Sequence, residues 1–180
     1  AAQFRRELPD TLARYLAQHD LVGDRLVLEI TETTLMQNSA DLDGLIEDIR
    51  KLGCALALDD FGTGFSSLSY MNRLHVDTVK IDRSFVQGLG DISNKDASGK
   101  TAPLVEAIVG LAEKLDLTVI AEGIETEEQL GSLTQRNVKF GQGFLFGEAK
   151  PLDVWLNGPL KSRSSRYALP DLKELEARPY

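Results

Sequence analysis

Four short apolar runs in this chain each end in an ionisable group: Leu26-Val27-Leu28-Glu29, Leu56-Ala57-Leu58-Asp59-Asp60, Thr78-Val79-Lys80 and Val119-Ile120-Ala121-Glu122. Runs this short and this apolar read as strands buried on both faces, which is the pattern of a parallel sheet. A packed core has no use for unpaired charge at its strand ends, because burying it is costly. A site for divalent cations does.

Between the runs lie helical patterns. Leu8, Leu12, Tyr15 and Leu16 share one helical face, with Gly23 as a stop. Leu42, Leu45, Ile46, Ile49 and Leu52 mark a second helix, closed by Gly53. Short helical patterns span Ser66 to Arg73 and residues 84–90. Leu104, Ile108, Leu111 and Leu115 form a longer stripe, and Glu127 to Arg136 reads as another helix. Strands are expected near 25–30, 54–58, 77–81, 117–121 and 138–142. The polar segment Asp91 to Thr101 reads as a mobile surface loop. Alternating strands and helices mean an α/β fold with a parallel sheet.

A (β/α)₈ barrel and an open doubly wound sheet both fit this alternation. No GxGxxG or P-loop follows any strand, which weakens a nucleotide-binding doubly wound sheet. Functional groups on several different strand ends favour the barrel, whose sites sit at the carboxyl rim. About five strands are visible, too few to close a barrel.

The 180 residues suit one domain or most of one, and 42% apolar with 27% charged suits a globular chain. The start, Ala1-Ala2-Gln3-Phe4-Arg5-Arg6, is an amphipathic helical pattern rather than a signal peptide, and without an initiator Met it reads as the start of a fragment. Cys54 is the single cysteine, so no intrachain disulfide forms, and its apolar surroundings make it a small buried hydrophobe. A reducing cytoplasmic setting fits. Net charge is −8, which argues against a nucleic-acid duplex as partner. It leaves room for a small anionic nucleotide held through cations.

Glu29, Asp59, Asp60 and Glu122 are hard oxygen donors, suited to Mg²⁺ or Mn²⁺ better than to zinc. Neither His19 nor His75 lies at a strand end; both read as surface or helix-packing residues. Two adjacent aspartates at a strand terminus can reach two ions at once, and two ions about 3.5–4 Å apart serve phosphodiester cleavage. Lys80 supplies a compact positive charge for a phosphate oxygen or an attacking water. Any one of these acids alone would more often be a helix N-cap. Four acids and a lysine in equivalent positions make that reading weak.

Several motifs occur in order: L-E-I-T-E-T at Leu28 to Thr33, D-D-F-G-T-G-F-S-S at Asp59 to Ser67, V-K-I-D at Val79 to Asp82, A-E-G-I-E-T at Ala121 to Thr126 and G-Q-G-F-L-F-G at Gly141 to Gly147. Together they closely resemble the EAL-domain family of bacterial cyclic di-GMP phosphodiesterases, over roughly residues 1–150. The resemblance implies a TIM-type (β/α)₈ barrel, with about five βα units visible and the first strands, including the Glu-Ala-Leu strand, missing before residue 1. It divides the chain into a domain at 1–158 and a polar tail at 159–180 that includes Lys161-Ser162-Arg163-Ser164-Ser165-Arg166.

By resemblance, Glu29 is a ligand of one metal, Asp59 is shared by two, and Asp60 and Glu122 lie on the second-metal side. Lys80 matches the lysine that touches the hydrolytic water. Glu122 also matches a residue proposed as general base, and Gln142 a glutamine near the catalytic water. Glu32 matches the glutamate that holds the loop after the aspartate pair; its bland alternative is an exposed side chain. For Gln142 the alternative is a residue that only satisfies backbone groups. Asp82 and Glu125 read as groups that position loops.

The activity implied is hydrolysis of cyclic di-GMP to linear pGpG with Mg²⁺ or Mn²⁺, inhibited by Ca²⁺. A homodimer, upstream sensor or regulatory domains, and a cytoplasmic site with membrane tethering of the parent left open complete the expectation. Two competing readings remain: a non-catalytic cyclic di-GMP receptor, and a signalling module whose barrel serves dimerisation. In that resemblance Val138-Lys139-Phe140-Gly141 replaces a more common Gly-Cys-Asp-containing approach to the glutamine.

Overall fold

A computed structural model describes residues 6–35, 40–62, 74–90 and 95–151. The expected helix at Ser66 to Arg73, most of the D-D-F-G-T-G-F-S-S motif beyond Gly62, and the tail at 159–180 lie outside these residues. In order the elements are α1 (Leu8–Gln18), a 3₁₀ turn (Gly23–Arg25), β1 (Val27–Thr31), α2 (Glu32–Leu35), α3 (Ala40–Lys51), β2 (Ala55–Phe61) and β3 (Thr78–Ile81). There follow α4 (Arg83–Gly90), α5 (Lys95–Lys114), β4 (Thr118–Ala121), α6 (Glu127–Gln135) and β5 (Phe140–Gly141).

The five strands form one parallel sheet in the order β1-β2-β3-β4-β5, which is the chain order. Helices join β1 to β2, β3 to β4 and β4 to β5, as parallel pairing requires, while most of the β2–β3 connection lies outside the described residues. Among the described residues the sheet is open and has the five strands expected from sequence. Register puts Thr31 beside Asp59, Lys80 beside Ile120, Ile81 beside Ala121 and Ala121 beside Gly141. The carboxyl ends of the strands therefore line up.

Leu56, Ala57 and Leu58 of β2 and Val79, Lys80 and Ile81 of β3 are at most 4% exposed, and since successive side chains alternate, both strands are covered on both faces. Ile46 and Ile49 of α3, Val86 of α4, Val105 of α5 and Leu133 of α6 complete the core. β1 is less covered: Val27 and Glu29 are exposed while Ile30 is buried. Cys54 is buried, just before β2 rather than within it. His19 is exposed and stacks on Tyr15, and the carbonyl of exposed His75 accepts from Arg50.

Two expectations need correction. The first is the loop at Asp91 to Thr101: from Lys95 onward this is the start of α5, and residues 91–94 lie outside the described set. The polar, glycine- and serine-containing composition reads as a loop, but packing overrides it. A Cβ on Gly88 would stand 2.6 Å from the Thr101 hydroxyl, so α4 and the first turns of α5 are in direct contact. Helix propensity is a weak prior against such tertiary contacts.

The second correction concerns β2, which does not stop at the aspartate pair but runs through Asp59 and Asp60 to Phe61. Its pairing with β3 steps from Leu58–Val79 to Phe61–Ile81, so β2 spends one extra residue: a bulge at the aspartates.

The chain's contacts divide it after Gly147. Everything described below lies in the first unit; of the second, only residues 148–151 are described, and they are irregular. Among the described residues no helix is long and apolar enough to cross a membrane.

Candidate metal centre

Lys80 is the centre of the arrangement. It lies within β3, one residue before the strand's end, and its side chain is 5% exposed. Its Nζ reaches Glu122 Oε1 at 2.6 Å, Glu29 Oε1 at 2.8 Å and Asp59 Oδ1 at 3.2 Å. These acids come from β1, β2 and the residue after β4. An ammonium has three donors, and a buried lysine keeps its charge only when carboxylates of this kind surround it.

The bulge explains how adjacent aspartates serve one site. In a regular strand their side chains would point to opposite faces. Asp60 instead has φ +56°, in the left-handed region that Asp tolerates better than most residues. Asp59, Asp60 and Glu122 each bring a carboxylate oxygen within 4.8 Å of the others. Glu29 lies outside that group and joins it through Lys80. Gln142, just after β5, donates from Nε2 to Glu122 Oε1 at 2.7 Å, so it does more than satisfy backbone groups. Its own backbone is tied to β4: the Gln142 N–H donates to Ala121 O, and the Ile124 N–H to Gln142 O.

Burial alone would lower the pKa of Lys80, but its hydrogen bonds to Glu122 and Glu29 and the Glu122 charge outweigh it and hold the ammonium above its ordinary range. Burial pushes Glu122 up; Lys80 opposes this, and Asp59 and Glu29 add to it. Burial also raises Asp60, with Asp59 and Asp82 adding repulsion. Lys80 and Glu122 thus move in directions that conflict for a simple ion pair. Both follow once a single ammonium is shared among Glu29, Asp59 and Glu122. Lys80 is over-supplied with partners, while burial and like-charged neighbours raise Glu122 and Asp60 in spite of it.

That imbalance is the fit test for a divalent ion. The donors are carboxylate oxygens, the type that Mg²⁺ and Mn²⁺ take. Asp59 Oδ1 is buried with no hydrogen-bond partner among the described residues beyond its ion pair with Lys80 Nζ at 3.2 Å. A buried carboxylate oxygen without a donor calls for a cation. Asp59, Asp60 and Glu122 suit one directly.

The remaining expected residues fall around this centre. Glu32 opens α2 and is 3% exposed, so the exposed alternative does not apply. The loop that it would hold begins among residues outside the described set. Asp82 Oδ1 accepts from the Ser84 N–H at 3.0 Å and so caps α4, while its charge bears on Asp60. Glu125 pairs with Arg83.

Two residues absent from the sequence reading matter here. Arg83 grips the loop after Glu122. Gln129, 6% exposed, accepts through Oε1 from the N–H groups of Glu125 at 2.7 Å and Thr126 at 3.1 Å. The Thr126 hydroxyl accepts from the Gln129 N–H, completing a capping box. The spacing T-x-x-Q at Thr126–Gln129 is a sequence sign of that box and could have revealed it.

With the site defined, comparison with known proteins is direct. The family model for the EAL domain matches residues 1–149. The chain is 41% identical over 148 residues to a protein of Pseudomonas aeruginosa named cyclic di-GMP phosphodiesterase NbdA, covering 82% of this chain and 18% of that one. It is 38% identical, with a TM-score of 0.76, to a structure titled PaMucR phosphodiesterase, c-di-GMP complex, covering 85% of this chain and 60% of that one. It is 31% identical, with a TM-score of 0.68, to a manganese and cyclic di-GMP complex of Klebsiella pneumoniae BlrP1, covering 78% of this chain and 34% of that one. The chain spans less than a quarter of the length of curated relatives such as NbdA. The family model covers most of the chain and the relatives exceed 30% identity along it: the chain belongs to the EAL-domain family.

Proposed function

We propose that this chain carries the catalytic centre of a phosphodiesterase that opens one phosphodiester of cyclic di-GMP to give linear pGpG, using Mg²⁺ or Mn²⁺. The observation that carries the reading is the convergence of Glu29, Asp59 and Glu122 on buried Lys80, with Asp60 turned into the same cluster. The names of the relatives and the BlrP1 complex support it.

Glu29, Asp59, Asp60 and Glu122 would hold the ions. When bound, such ions neutralise the acids, polarise the phosphate and make water a better nucleophile. Lys80 contributes a fixed positive charge toward a phosphate oxygen or the attacking water. Gln142 occupies one oxygen of Glu122, which fixes that carboxylate's rotation. Glu122 then acts as general base, taking the proton of the attacking water. Asp82 and Glu125 position the flanking loops, and Glu32 serves the loop after the aspartates. Ca²⁺, larger and looser in its geometry, is expected to inhibit.

The domain is proposed to occupy residues 1–158, followed by a polar tail at 159–180. A homodimer, upstream sensor or regulatory domains and a cytoplasmic location belong to the same proposal. Hydrolysis of cyclic di-GMP, followed by chromatography of pGpG, tests the centre. Activity should need Mg²⁺ or Mn²⁺, and Asp59→Ala should reduce it by at least about a thousandfold, the scale of a lost transition-state contact. Undiminished hydrolysis by Asp59→Ala would overturn the mechanism, and wild-type binding in excess Mg²⁺ without turnover would favour the receptor reading.

A further inference from the structure

We infer that Arg83 is a positioning residue that sets the placement of Glu122; the inference rests on the phosphodiesterase reading of that site. Arg83 is the first residue of α4, three residues beyond Lys80. A positive charge there opposes the helix dipole, so its position is not explained by helix stability. Its side chain instead crosses to the loop after β4. One guanidinium nitrogen, Nη2, pairs with Glu125 Oε1. With the Gln87 amide oriented to match, its oxygen accepts from Arg83 Nε at 2.8 Å and Nη2 at 3.1 Å.

The stem of Arg83 is part of the grip. Gly123, directly after Glu122, has φ +68°, and a Cβ on it would stand 2.4 Å from Arg83 Cγ. These are the near atoms of the arginine, which cannot swing aside as its tip can. The loop is therefore clasped on one side by Arg83 and on the other by the Gln142 backbone and Gln129.

The geometry is a double tie between two chain segments leaving adjacent strands. Lys80 meets Glu122, and three residues further along each segment Arg83 meets Glu125. The inner tie lies in the site and the outer one at its edge. Arg83 touches none of the reacting groups itself; it keeps the Glu122–Glu125 turn from drifting relative to β3.

The test compares Arg83→Met, which keeps the stem and removes the charge, with Arg83→Lys and the swap Arg83→Glu/Glu125→Arg. Small misplacements of a catalytic group can cost up to about a hundredfold. We expect Arg83→Met to lower kcat on cyclic di-GMP about tenfold while KM changes less than twofold. Mn²⁺ affinity, read by electron paramagnetic resonance without substrate, should weaken about threefold. Arg83→Lys should retain at least half of wild-type kcat, and the swap should recover most of what Arg83→Met loses. Changes under twofold in both kcat and Mn²⁺ affinity for Arg83→Met would overturn the proposal, as would a folded swap variant, checked by circular dichroism, that recovers nothing. Should the wild-type protein fail to hydrolyse cyclic di-GMP, the phosphodiesterase reading fails, and the Mn²⁺ titrations still decide whether Arg83 sets Glu122.

Discussion

Replacing Lys80 by Met leaves the aliphatic stem and removes the one ammonium that Glu29, Asp59 and Glu122 share. Removing one partner of a buried ion pair costs about 3–5 kcal/mol, because the other charge stays buried. Glu122 and Asp59 are 17% and 23% exposed and bear that cost; Glu29 is 52% exposed and solvent screens it. The lower end, about 3 kcal/mol, is the expected loss. With a urea m-value of about 2 kcal/mol/M, this moves the unfolding midpoint down by about 1.5 M. The pH at which to measure follows from the sign of the lysine shift. Its folded pKa is raised, so its stabilisation is complete below the ordinary ammonium pKa and is lost only as alkali approaches the raised value. Neutral pH therefore shows the full effect. The assay is urea unfolding followed by circular dichroism, in EDTA and again in millimolar Mg²⁺. A bound dication at a hundred times its dissociation constant contributes about 2.7 kcal/mol, so Mg²⁺ should restore most of the loss. Glu122→Gln in the same background should be strongly non-additive with Lys80→Met, since the first removes part of the charge that the second exposes. A Lys80→Met protein within about 0.5 kcal/mol of wild type in EDTA, or strict additivity in that double-mutant cycle, would refute the charge-sharing argument.

Gln129→Ala removes the acceptor for the N–H groups of Glu125 and Thr126 and should cost about 1–2 kcal/mol by the same unfolding assay, with faster amide exchange at those two positions. Burial raises the Cys54 thiol pKa, so less thiolate is present at any pH than for a free cysteine. Ellman's reagent at pH 8 should leave Cys54 unreacted in the native protein and label it fully in denaturant; rapid native labelling would contradict its burial.

Much of the sheet was legible because its strands obey simple rules. Leu56-Ala57-Leu58 and Val79 sit at the centre and are buried on both faces, so the sequence shows them as unbroken apolar runs. Glu29, Lys80 and Glu122 were legible because an ionisable group interrupts or ends such a run each time. The aspartate pair was legible as a motif but not in its geometry. Alternation by twos would separate Asp59 from Asp60, and only the extra residue in β2 and the positive φ of Asp60 undo that. The helical start of α5 was hidden because its evidence is a contact between Gly88 and Thr101 on different helices. Arg83 was hidden for a similar reason: its meaning lies in Gly123 and Glu125, forty residues and more along the chain.

The arrangement also accounts for how a site of such poor electrostatics keeps its shape. Four carboxylates crowd one ammonium, and by repulsion alone they would splay. Each acid, however, comes from a different strand or strand end, except for the pair brought together by the bulge. The sheet fixes their spacing through hydrogen bonds that do not depend on the side chains. Glu122 alone stands just past its strand, tied to the sheet by its N–H to Ile81 O, and its further supports are Lys80, Gln142 and a following turn gripped by Gln129 and Arg83. The density of those supports at one residue fits the role proposed for Glu122 as the group that receives a proton. A carboxylate that only binds an ion can follow the ion. One that must receive a proton from an attacking water has to be in place beforehand.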